Sequence, residues 1–180
     1  MIKEIGGIFL KVELIRANKE MEEQYHEFAN EWKSNGEEIT PYAARLLDMD
    51  YKTWLQYTND IEKKETCPSH LVPANTYFLV SEDKKIIGAI NIRHYLNDYL
   101  LNFGGNIGYG IRPSERKKGY ASLMLSVAVP IAKELGIDRI LITCDKKNIG
   151  SAKTIMNNGG VLENEVLEDG KITQRYWIEG

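Results

Sequence analysis

Apolar and polar residues alternate loosely from Ile8 to Ile15, which reads as a strand. The period then changes: Met21, Tyr25, Phe28 and Trp32 follow at helical spacing, forming one face of a helix with Asn18 as N-cap and Asn35-Gly36 as its stop. A second helix is predicted from near Asp50 to Lys64, with Leu47, Tyr51, Trp54, Leu55 and Ile61 turned inward. Pro68 and Pro73 make the next stretch a loop, in which His70 reads as a solvated residue. Two apolar runs, Thr76–Val80 and Lys85–Arg93, flank the polar turn Ser81–Lys84 and predict an antiparallel hairpin. A loop from Tyr95 to Gly105 leads into a third strand, Asn106–Ile111. Gly108 and Gly110 lie within that strand, where glycine signals a bulge, a close approach of backbone, or tight packing under a helix. A long apolar helix from Gly119 to Leu135 should be kinked at Pro130 and end at Gly136. Ile140–Cys144 reads as a buried strand; joined by a helix, it should run parallel to the preceding strand with a right-handed crossover. A short helix from Asn148 to Asn158 stops at Gly159-Gly160, and Asp169-Gly170 turns a closing hairpin between Val161–Leu167 and Ile172–Ile178.

The junction between the third strand and the long helix carries the candidate chemistry. Ile111-Arg112-Pro113 ends the strand, and Arg116, Lys117 and Lys118 stand together just before Gly119-Tyr120-Ala121. The first N–H groups of a helix have no intrahelical acceptor, and the helix dipole adds partial positive charge there. Small residues let an anion approach that backbone, so the stretch fits a phosphate group. Taken alone, it also fits a basic turn capping an ordinary helix.

Composition narrows the function further. The 180 residues suit one domain, 1–180, with 43% hydrophobic and 27% charged residues. A net charge of -3 argues against a nucleic-acid binder that works by neutralising phosphates. The slight acidity fits a cationic substrate but does not select one. Cys67 and Cys144 lie far apart and show no metal-ligand spacing, which suggests reduced thiols, no metal and a cytoplasmic protein. The start lacks the apolar core of a signal peptide, and no run approaches the ~20 apolar residues of a membrane span.

The spacing Arg116-x-x-Gly119-x-Ala121 resembles the Arg/Gln-x-x-Gly-x-Gly/Ala signature of the GCN5-related N-acetyltransferases (GNAT). The element order resembles that family over nearly the whole chain, with local matches at Ile111–Arg116, Asn148–Ser151 and Arg175–Ile178. The resemblance implies an α/β fold of α+β type: a mixed, mostly antiparallel central sheet, a splayed parallel strand pair, and helices on both faces. It implies acetyl-CoA as co-substrate and transfer of the acetyl group to a primary amine of a small molecule, peptide or protein. A non-catalytic acyl-CoA sensor, or transfer of another acyl group, remains compatible with it. Carried over by position, Tyr109, Ile111 and Arg112 would face the pantetheine arm and acetyl carbonyl. Arg116, Lys117, Lys118, Gly119, Tyr120 and Ala121 would hold the pyrophosphate. Asn148 and Ser151 would meet the coenzyme from the facing strand end, a role compatible with capping the helix they begin.

The catalytic groups match the family less well. Many members place a tyrosine in the helix after the parallel strand, but none occurs here between Tyr120 and Tyr176, and Ile155 stands near the expected position. Tyr176 is the candidate acid in its place. Asn106 stands where some relatives carry a glutamate, leaving His94 as the candidate base or deprotonation through water. The acceptor pocket would form from the two early helices and the loop before Asn106. The closing hairpin has edges on which a second copy would pair as a homodimer.

Overall fold

The computed structural model describes residues 2–5 and 8–179. Five strands form one antiparallel sheet in sequence order: β1 (Ile2–Ile5), β2 (Ile8–Arg16), β3 (Ala74–Ser81), β4 (Ile86–Arg93) and β5 (Ile107–Ile111). The remaining three form a second antiparallel sheet in the order β6 (Arg139–Asp145), β8 (Lys171–Glu179), β7 (Val161–Glu168). β1 is not foreseen by the hydrophobic pattern, because four residues are too few to display a period; it pairs antiparallel with β2.

Each face of the larger sheet carries its own core. On one side α1 (Glu22–Ser34) and α2 (Tyr51–Ile61) bury Tyr25, Phe28, Trp32 and Trp54 against Phe78 and Ala89. The helical stripe read from the sequence is therefore the packing face. Asp50 caps α2 by accepting a hydrogen bond from the Thr53 N–H at 2.7 Å. Leu47, expected to point inward, is exposed: it precedes that cap, lies outside the helix, and takes a left-handed φ of +54°.

On the other side α3 (Tyr120–Glu134) buries Met124, Leu125, Ala128 and Ala132, together with Ala152 and Ile155 of α4 (Ile149–Asn157). α3 runs through Pro130 without interruption. Pro130 and Ser126, four residues earlier, are both exposed, so the Ser126 carbonyl that loses its helical partner faces water and the cost of the proline is small. No helix among the described residues is long and apolar enough to cross a membrane.

The two sheets meet at β5 and β6. Asn106 donates its backbone N–H to the Leu141 carbonyl at 2.6 Å and accepts the Leu141 N–H on its side-chain oxygen at 2.9 Å. Beyond this point no ladder joins the two strands. Tyr109, farther along β5, reaches Ser151, beyond the end of β6, so the strands run in the same direction and splay apart as expected.

The bulge expected in β5 is absent. Its register with β4 is unbroken from Ile92↔Ile107 to Gly88↔Ile111, and the irregularity falls one ladder away, between Leu79 and Val80. Gly110 instead admits a close approach. A Cβ there would overlap the carbonyl oxygen of Thr40, which lies across the strand from the segment after α1.

Candidate active site

The hydrogen-bond phase of β5 decides which of its amides are available. Arg93 N–H donates to the Asn106 carbonyl, and Arg112 N–H donates to the Ile87 carbonyl. With the observed register, even-numbered residues of β5 bond to β4, while the backbone groups of Ile107, Tyr109 and Ile111 turn toward the gap beside β6. The Ile111 carbonyl accepts the Arg116 Nε–H at 3.0 Å. The strand thus presents a row of polar groups to a space that no strand fills among the described residues.

At the mouth of that gap lies a cleft of about 750 Å³. Pro113–Glu115 forms a single tight turn after β5, and Lys117 (φ +60°) and Gly119 (φ +76°) take left-handed conformations that swing the chain into α3. Across the cleft, α4 begins at Asn148, whose side-chain oxygen accepts the Ser151 N–H at 3.0 Å. Two helix N-termini therefore line one cavity, and both favour an anion.

Tyr109, Ile111, Arg116, Lys117, Gly119, Tyr120, Ala121, Asn148 and Ser151 all line this cleft. The sequence reading thus gathers most of its coenzyme residues in one place. Arg112 and Lys118 lie outside the lining. Arg112 is buried and donates to Glu31 Oε2 from Nε at 2.7 Å and to the Ile86 carbonyl from Nη1 at 3.0 Å, a structural role. Glu31 also accepts the Ser114 N–H at 2.7 Å, so one carboxylate of α1 shapes the turn that precedes the cleft. Burial alone would raise the pKa of Glu31, but Arg112 and Ser114 override it and hold the carboxyl at about 2.

The basic trio does not act as three open charges. Arg116 makes a two-pronged pair with Glu37, at 2.8 and 2.6 Å, and stacks its guanidinium over Trp32 with 4.8 Å to the ring centroid. Lys118 pairs with Glu115 at 2.9 Å, and Lys85 holds the same carboxylate. For Lys117, no carboxylate partner occurs among the described residues. Sequence spacing could not show the first pairing, since Glu37 arrives from the segment after α1.

Of the two tyrosines that line the cleft, Tyr109 is the one that reaches from β5 to α4. Its hydroxyl shares a hydrogen bond with Ser151 Oγ at 2.9 Å, and burial pushes its pKa up to about 12. It projects from β5 toward α4, the helix on which a tyrosine was sought. Neither expected catalytic group lies nearby in the same sense. His94 donates its Nε2–H to the Asn75 side-chain oxygen at 2.7 Å and lines neither of the two large cavities. Tyr176 is buried in the core beneath α3 and α4, donates to Gln174 Oε1 at 2.7 Å, and likewise lines neither.

A second cavity, about 790 Å³, opens among α2, the loop before β3 and the turn before β5. It shares no lining residue with the first. His70, read from the sequence as a solvated loop residue, is exposed and forms part of its wall. Between the cavities stand β5 and the Thr40-Pro41 segment packed on Gly108 and Gly110.

A sequence model of the acetyltransferase (GNAT) domain matches residues 14–161. Among solved structures, the chain is similar to RimL, a ribosomal L7/L12 α-N-protein acetyltransferase in complex with coenzyme A. That likeness has 16% identity and a TM-score of 0.67, covering 99% of this chain and 98% of the other. A dodecameric spermidine N-acetyltransferase from Vibrio cholerae shares 14% identity over 93% of both chains, with a TM-score of 0.65. The GNAT domain of PAT from S. lividans shares 14% identity, with a TM-score of 0.62 and coverage of 96% and 92%. No match is found among curated proteins. At such identities the structural likenesses establish the fold, whereas the domain match spans most of the sequence. This chain belongs to the GNAT acetyltransferase family, whose members are N-acetyltransferase enzymes.

Proposed function

We propose that this protein transfers the acetyl group of acetyl-CoA directly to a primary amine, with the coenzyme in the cleft between β5 and β6 and the acceptor in the cavity beside α2. The observation that carries this reading is the gap itself: unpaired β5 amides on one wall and two helix N-termini at its mouth. A thioester bound there supplies an activated acyl group and a thiolate leaving group.

The chain's own residues divide the remaining work. Backbone N–H groups in the turn from Lys117 to Ala121 hold the pyrophosphate, with Lys117 adding charge. Backbone groups of Tyr109 and Ile111 align the pantetheine arm, and an N–H at this strand end stabilises the oxyanion. Asn148 and Ser151 face the same arm from α4. The Tyr109 hydroxyl, protonated at neutral pH, donates the proton that the leaving sulfur needs. No carboxylate lines the acceptor cavity among the described residues, so the amine loses its proton through water, and positioning supplies much of the rate.

Calorimetric titration with acetyl-CoA, paired with thiol release on an amine panel, tests the proposal. Binding together with release is expected. Tight binding without release on any amine would convert the protein into a coenzyme sensor, and undiminished affinity after Gly119→Val would move the phosphate site elsewhere.

A further inference from the structure

The cavity beside α2 has a charge opposite to that of the whole protein. The chain carries a net charge of -3, yet neither Asp nor Glu occurs among the described residues lining this cavity. Two arginines do. Arg45 is already compensated: it bonds Glu38 at 2.6 Å and donates Nε–H to the Ile39 carbonyl at 2.7 Å.

Arg93 is different. Its Nη1 donates to the carbonyls of Gly104 and Gly105, at 2.9 and 3.0 Å, and no carboxylate pairs with it among the described residues. Nε and Nη2 have no acceptor there either. Burial pushes the guanidinium's pKa down, with Tyr99 opposing, but arginine keeps its charge in any protein. Charged groups partly removed from water are normally paired, so a half-buried guanidinium that holds only two carbonyls and stands in a cavity wall points to a ligand that supplies the missing anion. Its position adds a distance constraint. Nη2 stands 3.4 Å from where a Cβ would be on Gly108, in the strand that walls the coenzyme cleft. Trp54, Tyr57 and Tyr99 give the rest of the cavity an aromatic lining.

We infer that the acceptor is a small primary amine carrying a carboxylate close to its nitrogen and an apolar remainder, with the carboxylate held by Arg93. This rests on the reading of the cavity as the acceptor site. It separates this protein from one built for a polyamine, whose charges Arg93 would repel.

The test compares matched pairs: L-phenylalanine, L-leucine and L-methionine against their carboxamides, with spermidine alongside. Affinity is measured by calorimetry on the intact protein with coenzyme A present. The acids should bind about tenfold or more tightly than their amides, since a charged hydrogen-bond partner is lost in the latter. Arg93→Gln should erase that preference while leaving coenzyme A affinity as it was, and Arg93→Lys should restore part of it. Should Arg93→Gln fail to fold, having lost its bonds to Gly104 and Gly105, the acid–amide comparison on the unmodified protein still decides. Equal or tighter binding of the amides or of spermidine, or no binding of any acid at millimolar concentration, would overturn the inference. Failure of coenzyme A to bind in the same titrations would instead strike the cleft, so the two readings fail separately.

Discussion

Asn106 satisfies both backbone groups of Leu141, one with its own N–H and one with its side-chain oxygen, at the point where β5 and β6 begin to diverge. An extra strand would otherwise be needed to do this. Asn106→Ala should leave the buried Leu141 N–H without an acceptor, at a cost of about 1–3 kcal/mol. Denaturant unfolding should show a lower midpoint with an unchanged slope, and coenzyme affinity should fall because the apex of the gap loosens. Unaltered stability would mean that the asparagine is not what closes the seam.

Tyr109→Phe isolates the proposed proton donor. The phenylalanine keeps the ring that fills the space between β5 and α4, so coenzyme affinity should stay within a few-fold. The rate constant kcat should drop by about 10²–10⁴. Because the hydroxyl's pKa is about 12, the unmodified enzyme should show no fall in rate from this group across neutral pH. A Phe variant with full kcat would remove Tyr109 from the chemistry.

Glu37 competes with any bound phosphate for Arg116, and both side chains line the cleft. Glu37→Gln should therefore tighten coenzyme binding several-fold at low salt, with the gain shrinking as ionic strength rises. The pair is about one-third exposed on each side, so the stability change should stay within roughly 1 kcal/mol. Weaker coenzyme binding in this variant would show that the clamp's positioning of Arg116 outweighs the charge it removes.

Glu31 gives the fold an acid-sensitive joint. Its carboxyl is held at about 2 against an ordinary 4.5, so its contribution is fully present above about 4.5 and is lost as pH falls toward 2. The difference corresponds to at most about 3–4 kcal/mol at neutral pH, and to less once partial exposure is allowed for. The stability gap between the unmodified protein and Glu31→Gln, measured by urea unfolding, should be flat above pH 5 and narrow below it. A gap that persisted at about pH 2 would assign the effect to packing rather than charge.

Gly110→Ala places a methyl group against the backbone carbonyl of Thr40, which cannot swing aside as a side chain would. Overpacking of this kind costs about 1–3 kcal/mol. The displaced segment also carries Glu37, so melting temperature and the Arg116 clamp should change together.

The parts of the molecule governed by local periodicity were readable from the residues. Met21, Tyr25, Phe28 and Trp32 declare a helix face because each burial repeats the last, and the Asp169-Gly170 pair declares its turn because both positions take positive φ. Leu47 departs from its expected inward position because apolar spacing alone does not reveal that the Asp50 cap starts the helix after it. The cleft's location was legible through Gly119 and the strand before it, but its electrostatics were not. Glu37 reaches Arg116 across 79 positions, and no pattern in the chain marks that pairing. Arg93 likewise looks like an ordinary polar strand end until the fold sets it half-buried in a cavity wall, with no carboxylate partner among the described residues.

The wall formed by β5 and the Thr40-Pro41 segment has a kinetic consequence. Because the two cavities share no residue, each reactant has its own doorway, and neither needs the other to depart before it can enter. Both should reside on the enzyme together, giving intersecting double-reciprocal plots instead of the parallel lines of a substituted-enzyme scheme. Free coenzyme A should then inhibit competitively against its acetylated form alone.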